Sequence, residues 1–293
     1  MSFALRSIWS KTLRDYRVPI LAWGIGMALL VLAQIVTVQS LINTPAARQG
    51  VVQLAQSFRF FGEPVAIATP LGYVTWKSMG VVPLLLGIWA VLAGASIVRG
   101  EEERGALDLL LAEPKSRARI LAEKIAALAL ALLLISLILA LGALAGEAGL
   151  GASYVNVGGA LLMGLNVSLI TFFFGMLALA IGQCVRHAGA AAGIAGGILA
   201  LSYLLDGTGL TIQNGEWLRR ISPYYYYSIS KPLIPTYGAN VGAMLVLLAL
   251  GVGFAALSFA LWLRRDIGGV ALPSWQIFPQ RTPQQALAQA GRD

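Results

Sequence analysis

IAALALALLLISLILALGALAG, residues 125–146, decides how this chain folds. No Asp, Glu, Lys or Arg interrupts it. At 1.5 Å per residue, a helix of this length covers the roughly 30 Å of bilayer hydrocarbon. A helix also satisfies its own backbone hydrogen bonds where lipid offers none. Working outward, five more runs share this character: 18–42, 79–98, 155–182, 188–205 and 239–263. They predict an all-α integral membrane protein with six transmembrane helices. The fifth run, AGAAAGIAGGILALSYLL, is short and rich in Gly and Ala, so it is expected to pack on other helices rather than face lipid.

Composition excludes the usual soluble alternatives. Hydrophobic residues make up 58% of the 293 and charged residues 12%, against roughly a quarter charged in soluble domains. The net charge of +8 sits at the ends of apolar runs, which fits headgroups and topology rather than a nucleic-acid face. Cys184 is the single cysteine and His187 the single histidine. No intrachain disulfide and no Cys/His metal set are therefore available. The first apolar run is too long for a cleavable signal.

Lys and Arg counts set the expected orientation. Fifteen of the 21 fall on the side holding residues 1–17, the 99–124 loop, Arg186 and the C-terminus. The six on the other side are Arg48, Arg59, Lys77, Arg219, Arg220 and Lys231. The richer side is expected in the cytoplasm, with both termini. Residues 1–270 read as one transmembrane domain and 271–293 as a Gln/Pro/Ala-rich cytoplasmic tail. Ile8, Trp9, Leu13 and Tyr16 among basic residues predict an amphipathic helix on the membrane surface. The tyrosines 224–227 and Trp89 read as interfacial anchors or packing. The Gly-x-x-x-Gly pairs Gly193–Gly197, Gly142–Gly146 and Gly238–Gly242 predict close helix contacts.

Residues 99–124, RGEEERGALDLLLAEPKSRARILAEK, are the densest charge cluster. Leu107, Leu110 and Leu111 form one apolar stripe if helical. Pro114 should end that helix, and Ser116 can cap the next. Physically this is either a solvated hairpin between spans or a surface seeking a partner. The pattern Glu101, Glu102, Gly105, Leu107, Leu110, Leu111, Pro114 and Arg117 resembles the permease subunits of ABC transporters of the type-2 exporter class. The N-terminal helix, six spans, an outer Ser-Pro-Tyr segment and Arg-Arg-Asp at 264–266 agree with it.

The resemblance implies a coupling hairpin. Glu101, Glu102, Glu103, Arg104, Gly105 and the leucine stripe would contact a separate cytoplasmic ABC ATPase, present in two copies. Ile8, Trp9, Leu13 and Tyr16 would belong to the connecting helix. The loop 183–187 would be a second contact. A second permease copy, identical or related, would complete the pathway in the plasma membrane. Spans two and five would line it, which singles out Trp89 and Tyr203. Their apolar character favours a lipid, peptide or hydrophobic drug as cargo. This chain would bind no cofactor, with ATP and Mg held by the partner. Indeed none of its five lysines follows a glycine, so the Gly-Lys of a phosphate-binding loop is absent.

Two other classes compete. An ion-coupled secondary transporter usually buries ionisable groups in its spans, and the six runs hold none. An intramembrane serine protease would need Ser96 and His187 as nucleophile and base. Both residues fall near helix ends, with no evident oxyanion donors.

Overall fold

In the computed structural model, the backbone is described for residues 8–105, 116–148 and 155–264. Leu107, Leu110, Leu111, Pro114 and the tail 271–293 fall outside the described residues, as does the leucine hairpin itself. The described residues up to Leu263 belong to one compact unit. Six helical segments are long and apolar enough to span a membrane. Among the described residues the only β pairing is an isolated bridge between Lys231 and Gly238.

Helix α1 (Ile8–Asp15) leads into α2 (Arg17–Leu41), the first span. Ile8 is buried against Ile120, and the Trp9 amide donates to Glu123 Oε2 at 3.1 Å. The α1 helix therefore leans on the start of the third span. Beyond α2, α3 (Pro45–Ser57) folds the 43–78 segment back toward the bundle, with the Thr44 hydroxyl capping it at Ala47 N. Val38, Ile42, Ala55, Ile67, Tyr73 and Trp76 close a small core there. The length of this segment thus serves a folded cap.

The second span is broken, which its apolar run conceals. It consists of α4 (Pro70–Lys77) and α5 (Val82–Ser96). Pro83 lacks an N–H, so a helix can begin just before it but cannot run through it unperturbed. Gly80 sits where a Cβ would lie 2.3 Å from the Phe61 carbonyl. The break accordingly lets the outer cap pass directly over the span. A short helix, α6 (Arg99–Glu103), follows and ends at Gly105, whose φ of +68° suits glycine.

The third span, α7 (Arg117–Ala148), begins earlier than its apolar run. The Ser116 hydroxyl accepts from Arg119 N at 3.3 Å, as the capping reading expects. Glu123 and Lys124 therefore ride on the same helix as the hydrophobic stretch. Next come α8 (Val157–Cys184), α9 (Ala188–Thr211), α10 (Glu216–Arg220), α11 (Pro223–Ser228) and α12 (Val241–Arg264). Asn156 and Asn240 side chains cap α8 and α12.

Helix α8 is the centre, packed by α5, α7 and α9, while α2 lies along α7. Small residues set the closest approaches. A Cβ on Gly94 of α5 would come 2.1 Å from the Gly175 carbonyl of α8. Gly142 and Gly146 take Ala28 and Ile35 of α2, so this pair packs within the chain. Gly238 instead occupies a turn at φ +67°.

The fifth helix outruns its apolar run, and its glycine face meets no partner among the described residues. It continues six residues past Leu205 and carries Asp206 inside, so the spans are not free of ionisable groups. Nor does it pack tightly within this chain. Only 22% of its spanning window is buried, against 78% for α8. A Cβ added at Gly189, Gly193, Gly196 or Gly197 would meet nothing within 4 Å. Small residues make a smooth face here, and among the described residues no helix covers it.

Candidate functional site

At the α1 end of the bundle, α6 is pinned on every side. Arg99 donates through Nε to Gly182 O at 2.6 Å and through Nη2 to Gln183 O at 3.5 Å, at the C-terminus of α8. Lys124 donates to Ile97 O, just past α5, at 2.9 Å and pairs with Glu101. Each cation meets the partial negative charge of a helix C-terminus. The converse holds for Glu103, whose Oε1 accepts from Ala188 N at the N-terminus of α9 at 2.8 Å and lies 3.3 Å from His187 Nδ1. Glu102 pairs with Arg99 at 2.9 Å. The three glutamates therefore reach helix α7, Arg99 of α6 itself, and the start of α9.

This arrangement alters the expected contact surface. Glu101 and Glu102 are half-buried and occupied internally, while Glu103, Arg104 and Gly105 are exposed. Arg117 begins α7, and its carbonyl accepts from Trp262 Nε1 at 3.1 Å, tying α12 to the same end. Arg99 and Lys124, read in the sequence only as topology charges, prove to be the central cations. Their partners lie 83 and 23 residues away, so no local spacing advertises them.

The connecting-helix residues and Trp89 do come together. The Tyr16 ring meets Trp89 edge-on with centroids 5.7 Å apart. Burial, then the charges of Glu101 and Asp15, push the Tyr16 phenol above its ordinary range. Leu13 is half-buried on α1. Around Tyr16 lies a cleft of about 440 Å³ between α1, α5, α6 and α7.

Tyr203 belongs to a different cluster, at the other end. It meets Tyr224 (5.3 Å) and Phe60 (6.2 Å) edge-on. The ladder continues from Tyr224 through Phe174 (5.8 Å) and Phe173 (4.8 Å) to Phe254 of α12 (5.7 Å). Tyr224 and Tyr227 are buried, so these two are not part of an interfacial belt. Burial is the chief cause that raises both phenols above their ordinary range. Tyr227 donates to Met79 O at 2.9 Å, and its carbonyl accepts from Asn166 at 3.1 Å.

Two ion pairs bind this outer cluster. Asp206 meets Arg219 at 2.9 Å, with side chains only 10% and 11% exposed. Arg219 also donates to Ser228 Oγ at 3.1 Å and lies over the Tyr225 ring at 5.4 Å. Lys231 meets Glu63 of the outer cap at 2.8 Å. Burial pushes the Glu63 carboxyl up, but Lys231, with Arg219 and Arg59 behind it, holds it below its ordinary value. Gly209 allows the turn, since a Cβ there would strike Arg219 Cγ at 2.4 Å and Gly215 O at 2.7 Å.

The nucleophile and base considered for a protease are not joined. Ser96 Oγ donates to Leu92 O at 2.7 Å, and His187 faces Glu103. Among the described residues no group of three or more His, Cys, Asp or Glu could hold a metal.

No curated protein matches this chain. A family profile does, described as ABC-2 family transporter protein, over residues 7–267. That match runs from α1 to just beyond α12, and with six apolar helices and no soluble domain among the described residues, the chain belongs to the ABC-2 family of transporter proteins, as a membrane permease.

Proposed function

We propose that the chain is the membrane-spanning subunit of an ATP-driven exporter. Two copies of it, or one copy and a related chain, form the pathway. Two copies of a separate cytoplasmic ABC ATPase bind at the α1 end and hold the ATP and Mg. The chain itself performs no hydrolysis, in keeping with its lack of any Gly-Lys. Both ends of the chain face the cytoplasm of the plasma membrane, as the basic side predicts.

The observation that carries the reading is the pinning of α6. Helix α6 follows α5 directly and holds α7 through Glu101, the end of α8 through Arg99, and the start of α9 through Glu103. A load on the adjoining hairpin would reach four spans through charged hydrogen bonds, which are about twice as strong as neutral ones. ATP can shift the pathway only if the ATPase contacts its two states differently. The leucines 107, 110 and 111 are the proposed contact.

Dimer formation is supported by the bare glycine face of α9, since small residues let helix backbones approach in lipid. An apolar or amphipathic cargo is supported by the exposed Ile194, Ile198 and Leu201 on the same helix. A buried carboxylate in α9 would favour ion coupling, but Asp206 is already neutralised by Arg219.

The test of coupling is Leu110→Asp with Leu111→Asp. The spans still insert, and the ATPase is lost on purification; co-purification at normal yield would end the docking idea. Gly193→Leu with Gly197→Leu tests the dimer by mass photometry: the reading requires monomers. Cargo is read from stimulation of ATPase activity in the reconstituted complex by lipids, peptides or apolar drugs.

A further inference from the structure

The cleft beside Tyr16 joins apolar and charged side chains of α1, α2, α5, α6 and α7. Its floor is apolar: Pro19 of α2 with Trp89, Leu92 and Ala93 of α5. Its lining also carries the exposed Asp15 and Arg104, the half-buried Tyr16 and Glu101, and the buried Lys124. At about 440 Å³ it falls within the roughly 300–1,000 Å³ of ordinary ligand clefts.

The charges of the lining are balanced but not all satisfied. Glu101 and Lys124 neutralise each other. Asp15 and Arg104 have opposite signs, and neither has an ion-pair partner among the described residues. Gly100 leaves room for Arg104 to fold back, with Nη2 3.4 Å from where a Cβ would stand. The lining thus offers a carboxylate and a guanidinium that no other charge among the described residues takes. The matching ligand carries a cation and an anion on one short headgroup.

The apolar side identifies the rest of that ligand. Leu92 and Ile88 lie one turn apart on α5 and are 52% and 45% exposed. Val18 and Leu21 of α2 are likewise exposed beside Pro19. The floor of the cleft is therefore continuous with helix surface of the kind that faces lipid tails. A soluble zwitterion would leave this track unused.

We infer that the cleft between α1 and α5 binds an aminophospholipid, with its phosphate on Arg104, its primary ammonium on Asp15 and an acyl chain along Leu92 and Ile88. Arg supports the phosphate through its fork of donors. A primary ammonium can donate hydrogen bonds to a carboxylate, whereas a trimethylammonium cannot. The Tyr16–Trp89 pair stands edge-to-face at 78°, which is not an aromatic cage for a quaternary amine. The lipid would wedge the connecting helix against the bundle, beside Glu101 and Arg104 of α6 and its C-terminal turn.

The test uses the full-length chain in detergent, incubated with equal phosphatidylethanolamine, phosphatidylcholine and phosphatidylglycerol. Native mass spectrometry reads which lipid stays bound. Retained phosphatidylethanolamine should exceed phosphatidylcholine by about tenfold, the ratio worth 1.4 kcal/mol. Asp15→Asn with Arg104→Gln should remove that preference. Both positions are exposed, so helix content by circular dichroism should hold. Ser96→Trp, which fills the cleft mouth, should remove it independently. Equal retention of the three lipids overturns the inference, as does a preference for phosphatidylglycerol, which needs only the cations. Unchanged retention in both variants overturns it as well. So does displacement by soluble phosphoethanolamine at lipid-like concentrations, which would make the acyl track irrelevant. ATPase co-purification is not part of this readout, so it stands or falls separately from the coupling hypothesis.

Discussion

Replacing Arg219 by Ala strands the Asp206 carboxylate inside the protein. The side chains of this pair are 11% and 10% exposed and meet at 2.9 Å. The same guanidinium also holds Ser228 Oγ and covers Tyr225. Breaking a buried pair by removing one partner costs about 3–5 kcal/mol, because the remaining charge is left without compensation. Arg219→Ala should therefore lower the unfolding temperature of the purified chain by several degrees, followed by circular dichroism. Asp206→Asn should cost less, since the amide oxygen can still accept from Arg219, which Ser228 Oγ and the Tyr225 ring also hold. The double variant Asp206→Asn, Arg219→Gln should come within about 1 kcal/mol of the parent, because removing both charges also removes their desolvation cost. With Arg219→Gln as the matching single variant, the cycle then gives a coupling of at least about 2 kcal/mol. A single-variant cost below about 1 kcal/mol, or costs that simply add, would refute the reasoning.

Other predictions follow from the same geometry. The Glu63 carboxyl is held low by Lys231, so its contribution is present above the ordinary carboxylate range and is lost as pH falls through its lowered value. Thermal melts taken from neutral to acid pH should show a shallow acid loss that Glu63→Gln removes. The effect stays below about 1 kcal/mol because Glu63 is 40% exposed. Gly94→Ala should cost more than the roughly 1–3 kcal/mol of ordinary overpacking, since the new methyl meets backbone at 2.1 Å. Gly193→Ala should be neutral or stabilising by up to about 1 kcal/mol in the monomer, because it meets nothing. Folded yield after heating compares the two. Trp262→Phe removes the hydrogen bond to Arg117 O and should cost about 1 kcal/mol in the same melts.

The spans were legible because lipid imposes one demand everywhere, and long uncharged runs meet it in the open. The Ser116 cap was legible because capping is local. The break in the second span was not. Pro83 and Gly80 lie inside an unbroken apolar stretch, and hydropathy does not register backbone continuity. The continuation of the fifth helix past Asp206 was not legible, since a carboxylate reads as the edge of an apolar run until Arg219 is seen beside it. The internal partners of Glu101 and Glu103, Lys124 and the start of α9, were not legible because they are distant in sequence. The Gly142–Gly146 and Gly193–Gly197 pairs look alike as spacing. Only α2 lying along the first distinguishes them.

The contact between Gly94 and the Gly175 carbonyl leaves no room for sliding. A shift of α5 by one residue along α8 would bring a side chain where only hydrogen now fits. These two helices therefore behave as a single beam within the bundle. In a working cycle the beam can swing, and α9 or α2 can roll against a neighbour, but it cannot telescope. Whatever opens the pathway must do so by changing the angle of whole beams, with the hinge placed outside this crossing.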